Sequence, residues 1–284
     1  MLTAEDIERG YNNRAAVPDH PQWLARCADR SAAVVAAIAP QRDLRYGPGP
    51  KETLDLFVPP APARGTFVFI HGGYWRALDK ADFSFVAAPF VANGYSVAVV
   101  NYDLCPAVTV GAIVDECRRA MVWLANEGPR HGAPGAPLVV SGHSAGGHLV
   151  AMLFATDWRA HGLTAAPFTG GVSLSGVHDL EPLVQASMNA DLRLDVAEAR
   201  RLSPVRLAAQ TSAPLYVAVG ADETSEFLRQ SELIVAAWPA NLRDGAGSPH
   251  AIAGRHHFSV VLDYDDAASE LTRRTLALFD AQGA

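Results

Sequence analysis

The run Ser141-Gly142-His143-Ser144-Ala145-Gly146-Gly147-His148 constrains this chain more than any other stretch. It follows Pro137-Leu138-Val139-Val140, a short apolar segment that reads as a buried parallel strand. After it, Leu149-Val150-Ala151-Met152-Leu153-Phe154-Ala155 sits comfortably only as a buried helix. A strand, a Gly-flanked turn and a helix, with Ser144 at the apex, match the G-x-S-x-G elbow that lifts a serine out of a sheet. Gly142 and Gly146 lack Cβ atoms, so strand and helix can close tightly and hold Ser144 at an unfavourable φ/ψ. The hydroxyl then stands at the carboxyl end of the sheet, beside helix amides able to hold an oxyanion. A Gly/Ser turn without chemistry is the alternative, and partners for the serine decide between them.

Bulk properties narrow the setting. The chain has 284 residues, is 49% apolar and carries a formal charge of -7, spread along its length. No basic face invites nucleic acid or an anionic membrane surface. Cys27, Cys105 and Cys117 are too few and scattered for a disulfide framework or a structural zinc site, and read as buried or half-buried thiols. The segment Met1-Leu2-Thr3-Ala4-Glu5-Asp6 lacks the cationic start and apolar core of a signal peptide. No run reaches the ~18 apolar residues of a membrane span. The expectation is a soluble cytoplasmic protein, with a homodimer left open.

Taken in order, residues 3–45 read as helical and separate from the main fold, packed over the sheet or forming part of a lid. Within them Asn12-Asn13-Arg14 is a polar interruption without an evident role. Thr53 to Val58 alternates and predicts an antiparallel strand with one solvated face. Thr66 to Ile70 and Tyr95 to Val100 predict central strands. Between Val108 and Glu127, Val110, Ile113, Val114, Cys117, Met121 and Leu124 recur at helical spacing, with charges opposite. Gly171 to Gly176 and Leu215 to Val219 predict further strands, separated by a helical insertion over 178–210. A helix over Glu226 to Trp238, a short strand at Ala251-Ile252 and a closing helix over Ala267 to Ala281 complete the pattern. Strands alternating with helices predict an α/β fold: a mostly parallel sheet covered on both faces, in one catalytic domain spanning 1–284.

A neutral serine needs a base within hydrogen-bond reach, and the base needs a carboxylate to orient it. Asp222, just beyond the strand at 215–219, is the expected acid; Glu223 is its competitor and Asp179 a third candidate. His257 is the expected base, with His256 beside it as a supporting or surface residue. No acidic or cysteine partners stand at ligand spacing from this pair, so no metal is expected. Backbone N–H groups of Ala145 and of His71-Gly72-Gly73, after an early strand, are the candidate oxyanion donors.

With these residues in place the chain resembles the α/β-hydrolase superfamily from about Thr53 onward. His71-Gly72-Gly73-Tyr74-Trp75 is similar to the HGGxW signature of kynurenine formamidases, and Gly142-His143-Ser144-Ala145-Gly146-Gly147 to their nucleophile block. Tyr102-Asp103-Leu104-Cys105-Pro106, the segment after Asp222 and His257-Phe258 also look like that group. The resemblance implies Ser144 as nucleophile, Asp222 as acid, His257 as base, and Gly72, Gly73 and Ala145 as the oxyanion hole. It further implies a cofactor-free hydrolysis of a small N-formyl aryl amide or carboxylic ester. Tyr74, Trp75 and Tyr102 are candidate walls of an aromatic-accepting pocket. A general carboxylesterase, and a non-catalytic binding protein on the same fold, are the alternatives.

Overall fold

In the computed structural model, which describes residues 3–242 and 247–280, the central strands are continuous apolar runs because both faces of the sheet are buried there. Its strands are β1 (Gln41–Arg45), β2 (Thr53–Phe57), β3 (Thr66–Ile70), β4 (Ser96–Val100), β5 (Leu138–His143), β6 (Gly170–Leu174), β7 (Leu215–Gly220) and β8 (His250–Ile252). They lie in the order β1-β2-β4-β3-β5-β6-β7-β8. The β1–β2 and β2–β4 pairs are antiparallel and every other pair is parallel.

Alternate residues of each strand face opposite sides. Leu54, Leu56, Val68, Ile70, Ala98, Val100 and Val140 therefore enter one core. Phe57, Phe67, Phe69, Val97, Val99 and Val139 enter the other. The ten α-helices among the described residues are α1 (Ala4–Tyr11), α2 (Asn13–Ala16), α3 (His20–Ile38), α4 (Ala87–Ala92), α5 (Val110–Asn126), α6 (Ala145–Phe154), α7 (Asn189–Leu192), α8 (Val196–Arg201), α9 (Ser225–Ala237) and α10 (Glu270–Ala277). Helices α5, α6 and α9 fill the first core, whereas α3, α4 and α10 fill the second. None is long and apolar enough to cross a membrane.

Three sequence expectations are corrected. Helix stops at Ile38, because Pro40 offers no N–H to continue it and Ala39 takes a left-handed φ of 51°. Residues 41–45 then join the sheet as its edge strand, so the N-terminal segment is not separate from the fold. Strand β2 has no solvated face either: its polar Asp55 is buried and accepts a 2.6 Å hydrogen bond from the Lys80 ammonium, which takes the place of water. The closing helix spans 270–277, and Ala281, where it was expected to end, lies outside the described residues.

Between β6 and β7, the stretch expected as a helical insertion carries a 3₁₀ turn (Glu181–Gln185) followed by α7 and α8. The N-terminal helices reach the same end of the sheet. Tyr11 donates to Glu226 Oε1 at 2.6 Å, Thr224 Oγ1 donates to the Gly10 carbonyl at 2.7 Å, and Tyr74 donates to the Tyr11 carbonyl at 2.6 Å. The chain start is thereby tied to the loop that follows β7.

Candidate active site

Strand β5, Ser144 and helix α6 form a bend that only glycine permits at two points. A Cβ on Gly142 would lie 2.2 Å from the Gly146 carbonyl oxygen, and one on Gly146 would lie 2.0 Å from that of Ile70. Ser144 itself has φ 58° and ψ -118°. A conformation so sparsely populated costs about 1–3 kcal/mol and is held in place by the surrounding packing. Its N–H donates to the Leu174 carbonyl at 2.9 Å, which ties the bend to β6.

His257, in the loop between β8 and a 3₁₀ turn at Val260–Asp265, is 5% exposed. Its Nε2 lies 3.0 Å from Ser144 Oγ and its Nδ1 lies 2.6 Å from Glu223 Oε2. The ring is walled by Phe227, whose centroid is 4.5 Å away, and by His143 at 4.7 Å. Neighbouring His256 points elsewhere: its Nδ1 accepts from the Phe258 and Ser259 amides and its ring meets Trp23 edge-on.

The carboxylate on His257 is that of Glu223, not the expected Asp222. In the turn after β7, Asp222 donates its N–H to the Arg255 carbonyl at 2.9 Å and is exposed. One residue further the chain has turned inward, and the extra methylene of glutamate spans the gap to the imidazole. Its other oxygen accepts from the Gly220 N–H at 2.8 Å and from Ser175 Oγ, and the side chain has no exposure. Ser175, which sequence reasoning missed, sits just past the end of β6 with φ 53°. A serine at the carboxyl end of the strand next to the elbow was its signal. Asp179, the third candidate, lies beyond it, and its N–H donates to Gln230 Oε1 at 2.8 Å.

The 71–73 loop packs on the serine. A Cβ on Gly72 would stand 3.0 Å from Ser144 Cβ and 2.8 Å from the His143 carbonyl oxygen. Gly73 has φ 108°, and Tyr74, Trp75 and Leu78 after it also have positive φ. Tyr102 donates to the His71 carbonyl at 2.9 Å and approaches that of Gly72 at 3.2 Å. In a trans peptide the N–H points opposite its carbonyl, so anchoring these two oxygens turns the amides of Gly72 and Gly73 to the other side of the loop. Tyr102 and Trp75 are thus corrected from pocket walls to buried supports: both are fully buried, and the Trp75 ring meets His148 edge-on at 5.0 Å. Tyr74 does line the cavity above Ser144, together with Tyr11, Asn13, Met188, Phe258 and others. That cavity has a volume of about 300 Å³. Among the described residues, no group of three or more His, Cys, Asp or Glu side chains is placed to hold a metal ion.

Burial also sets the charge of the other histidines around the bend. It holds His71 and His148 down at about 4 and His178 at about 3, and it pushes His143, which also faces His257, well below the usual range. All four are neutral in the folded protein at pH 7. A base with a depressed folded pKa contributes stability that is present above the unfolded value of ~6.5 and lost as pH falls toward the folded one. Between pH 7 and pH 5 each fully buried ring is expected to withdraw on the order of 2 kcal/mol. Glu116, raised to about 7 chiefly by burial and next by Asp103 and Glu52, acts in the opposite sense but is one group against four. Thermal melts are therefore expected to fall by about 10 °C or more from pH 7 to pH 5, with His148→Gln flattening the slope. A flat profile over that interval would show that these rings are not held neutral.

The chain is similar to known proteins in both sequence and fold. The BD-FAE family model matches residues 54–169. Kynurenine formamidase from Danio rerio is 30% identical over 287 residues, covering 98% of this chain and 90% of that protein. The chain belongs to the kynurenine formamidase family. The Salmo salar kynurenine formamidase is 34% identical over 194 residues, an alignment that spans 66% of this chain and 64% of its own length. Among solved structures, a Silicibacter sp. TM1040 protein assigned as a thioesterase is 31% identical with a TM-score of 0.84, covering 96% of this chain and 98% of that one. The fold of this family member is the α/β-hydrolase fold expected from its elbow.

Proposed function

We propose that this kynurenine formamidase family member is a serine hydrolase that cleaves small N-formyl aryl amides or carboxylic esters through an acyl-enzyme. The observation that carries the reading is the continuous relay Ser144 Oγ–His257–Glu223, with contacts of 3.0 and 2.6 Å, whose serine and histidine line the cavity. His257 Nε2 takes the proton as Ser144 Oγ attacks the substrate carbonyl, and Glu223 orients the ring and stabilises the imidazolium. The developing oxyanion is met by the N–H of Ala145, at the start of α6, and by those of Gly72 and Gly73. Each such donor is worth about 3 kcal/mol in the transition state. The tetrahedral intermediate collapses, His257 hands its proton to the departing amine or alcohol, and water then releases the acyl group by the same steps.

Relatives named as formamidases point to the amide, and the esterase-like fold accommodates the ester; both use one mechanism. Its buried, unpaired cysteines fit a reducing cytoplasm. The test is a substrate panel run beside active-site labelling. The purified protein is expected to release formate from N-formylkynurenine, and a fluorophosphonate is expected to modify one residue, Ser144, by peptide mass. Brisk cleavage of p-nitrophenyl acetate without formamide turnover assigns a carboxylesterase. Absence of both turnover and labelling leaves only a binding protein.

A further inference from the structure

Asn13 is a buried polar residue that the proposed chemistry does not use. It is 4% exposed, lines the same cavity as Ser144 and His257, and neither Oδ1 nor Nδ2 has a hydrogen-bond partner among the described residues. The Asn12–Asn13 pair divides its labour. Asn12 caps the short helix, accepting from the Ala15 N–H at 3.1 Å, and donates to Glu8 Oε1 at 3.0 Å. The Asn13 backbone carbonyl is also satisfied, by the Val17 N–H at 3.0 Å. Its side-chain amide is left without a structural task among the described residues.

A buried amide without a partner destabilises a protein, and leucine of similar size would suit an apolar wall better. Here the wall includes Tyr11, Leu24, Phe83, Met188, Phe258 and Val261. Of the polar groups in the same lining, Glu8 is bonded to Asn12 and Ser187 and Arg76 to Asp191, whereas the Asn13 amide is buried and uncommitted, and a polar group so placed fixes the orientation of a bound ligand. Its position is held firmly, because Tyr11, two residues earlier, is bonded to Glu226 through its hydroxyl and to Tyr74 through its carbonyl.

We propose that Asn13 binds the leaving group of the substrate and selects one that carries an amide-type donor–acceptor pair, a carbonyl beside an N–H. This rests on the serine hydrolase reading and adds what the cavity recognises. A formyl or acetyl group is small and is held at the glycine loop, so the rest of the cavity takes the leaving group. The Asn13 amide donates through Nδ2 and accepts through Oδ1 side by side, which a carboxamide answers with both of its own groups.

The test compares phenyl acetate with its 2-, 3- and 4-carbamoyl derivatives, each rate divided by its hydroxide-catalysed rate to remove leaving-group acidity. Wild type is expected to prefer at least one carbamoyl isomer by about tenfold or more in kcat/KM. In Asn13→Leu that ratio is expected to fall to about one, mainly through KM, while Tm stays level or rises. No preference in wild type overturns the assignment, as does a ratio left unchanged in Asn13→Leu. A general packing defect lowers all four substrates alike, keeps the ratio and drops Tm, and it too overturns the assignment. Should Asn13→Leu fail to fold, Asn13→Ala is read by the same ratio. Wild type that cleaves no ester and takes up no fluorophosphonate refutes the hydrolase reading; turnover and labelling without carbamoyl preference refute only the role of Asn13.

Discussion

Ser144→Ala is expected to lower kcat/KM by about 10⁵–10⁶-fold toward any ester or formamide that the wild type cleaves. The loss is this large because serine and histidine act as one unit: without the hydroxyl, His257 has no proton to take and no acyl-enzyme forms. What remains comes from the amides of the 72–73 loop and Ala145, which still stabilise a tetrahedral species formed by water. Folding is expected to survive, since alanine keeps the Cβ and the φ of 58° is imposed by the bend rather than by the hydroxyl. Ser144→Gly separates the two effects. It is expected to be equally inactive but more stable by roughly 1 kcal/mol, because glycine occupies positive φ without strain. Steady-state kinetics and urea melts on both variants check this, and activity within tenfold of wild type in either would remove Ser144 from the chemistry.

Glu223→Gln is expected to lower kcat by about 10⁴-fold, whereas Asp222→Asn is expected to leave it within about twofold. Glutamine keeps the shape of the side chain but cannot stabilise an imidazolium, and it can present N–H where His257 Nδ1 must donate. Glu223→Asp is the sharper variant: it keeps the charge and shortens the reach, so a bond now 2.6 Å long has to stretch or the turn has to move. Activity between those of wild type and Glu223→Gln is expected for it. Asp222, exposed and joined to the fold through its backbone N–H, offers nothing to lose. The reverse pattern, with loss at 222 and tolerance at 223, would show that the turn after β7 adopts another conformation during turnover.

These contrasts mark where local reading and tertiary structure part. Ser144, His257 and the His71-Gly72-Gly73 loop were legible because their chemistry is written locally, in a glycine-flanked bend, a histidine after a late strand and a Gly-Gly turn. The central strands β3, β4, β5 and β7 were equally legible, since a sheet buried on both faces demands unbroken apolar runs. Asp222 against Glu223 was not, because a tight turn reverses the direction of successive side chains and one residue decides which of them faces the site. Trp75 and Tyr102 looked like pocket walls for a similar reason: an aromatic next to a catalytic loop can stand above it or beneath it, and only packing chooses.

The role of the first residues was the least legible of all. Nothing within Asn12-Asn13-Arg14 tells which amide caps a helix and which faces a cavity, because the cavity wall is completed by residues more than a hundred positions away, such as Met188 and Phe258. Sequence alone determined the central strands of the sheet and the bend at Ser144, since these follow from unbroken apolar runs and from a glycine's freedom of rotation, and it singled out His257 by its place after the last strand. The acid partner and the far wall of the cavity were decided only when the chain closed on itself. Side-chain direction at a turn and contact across long separations are properties of the folded arrangement, and no local pattern encodes them.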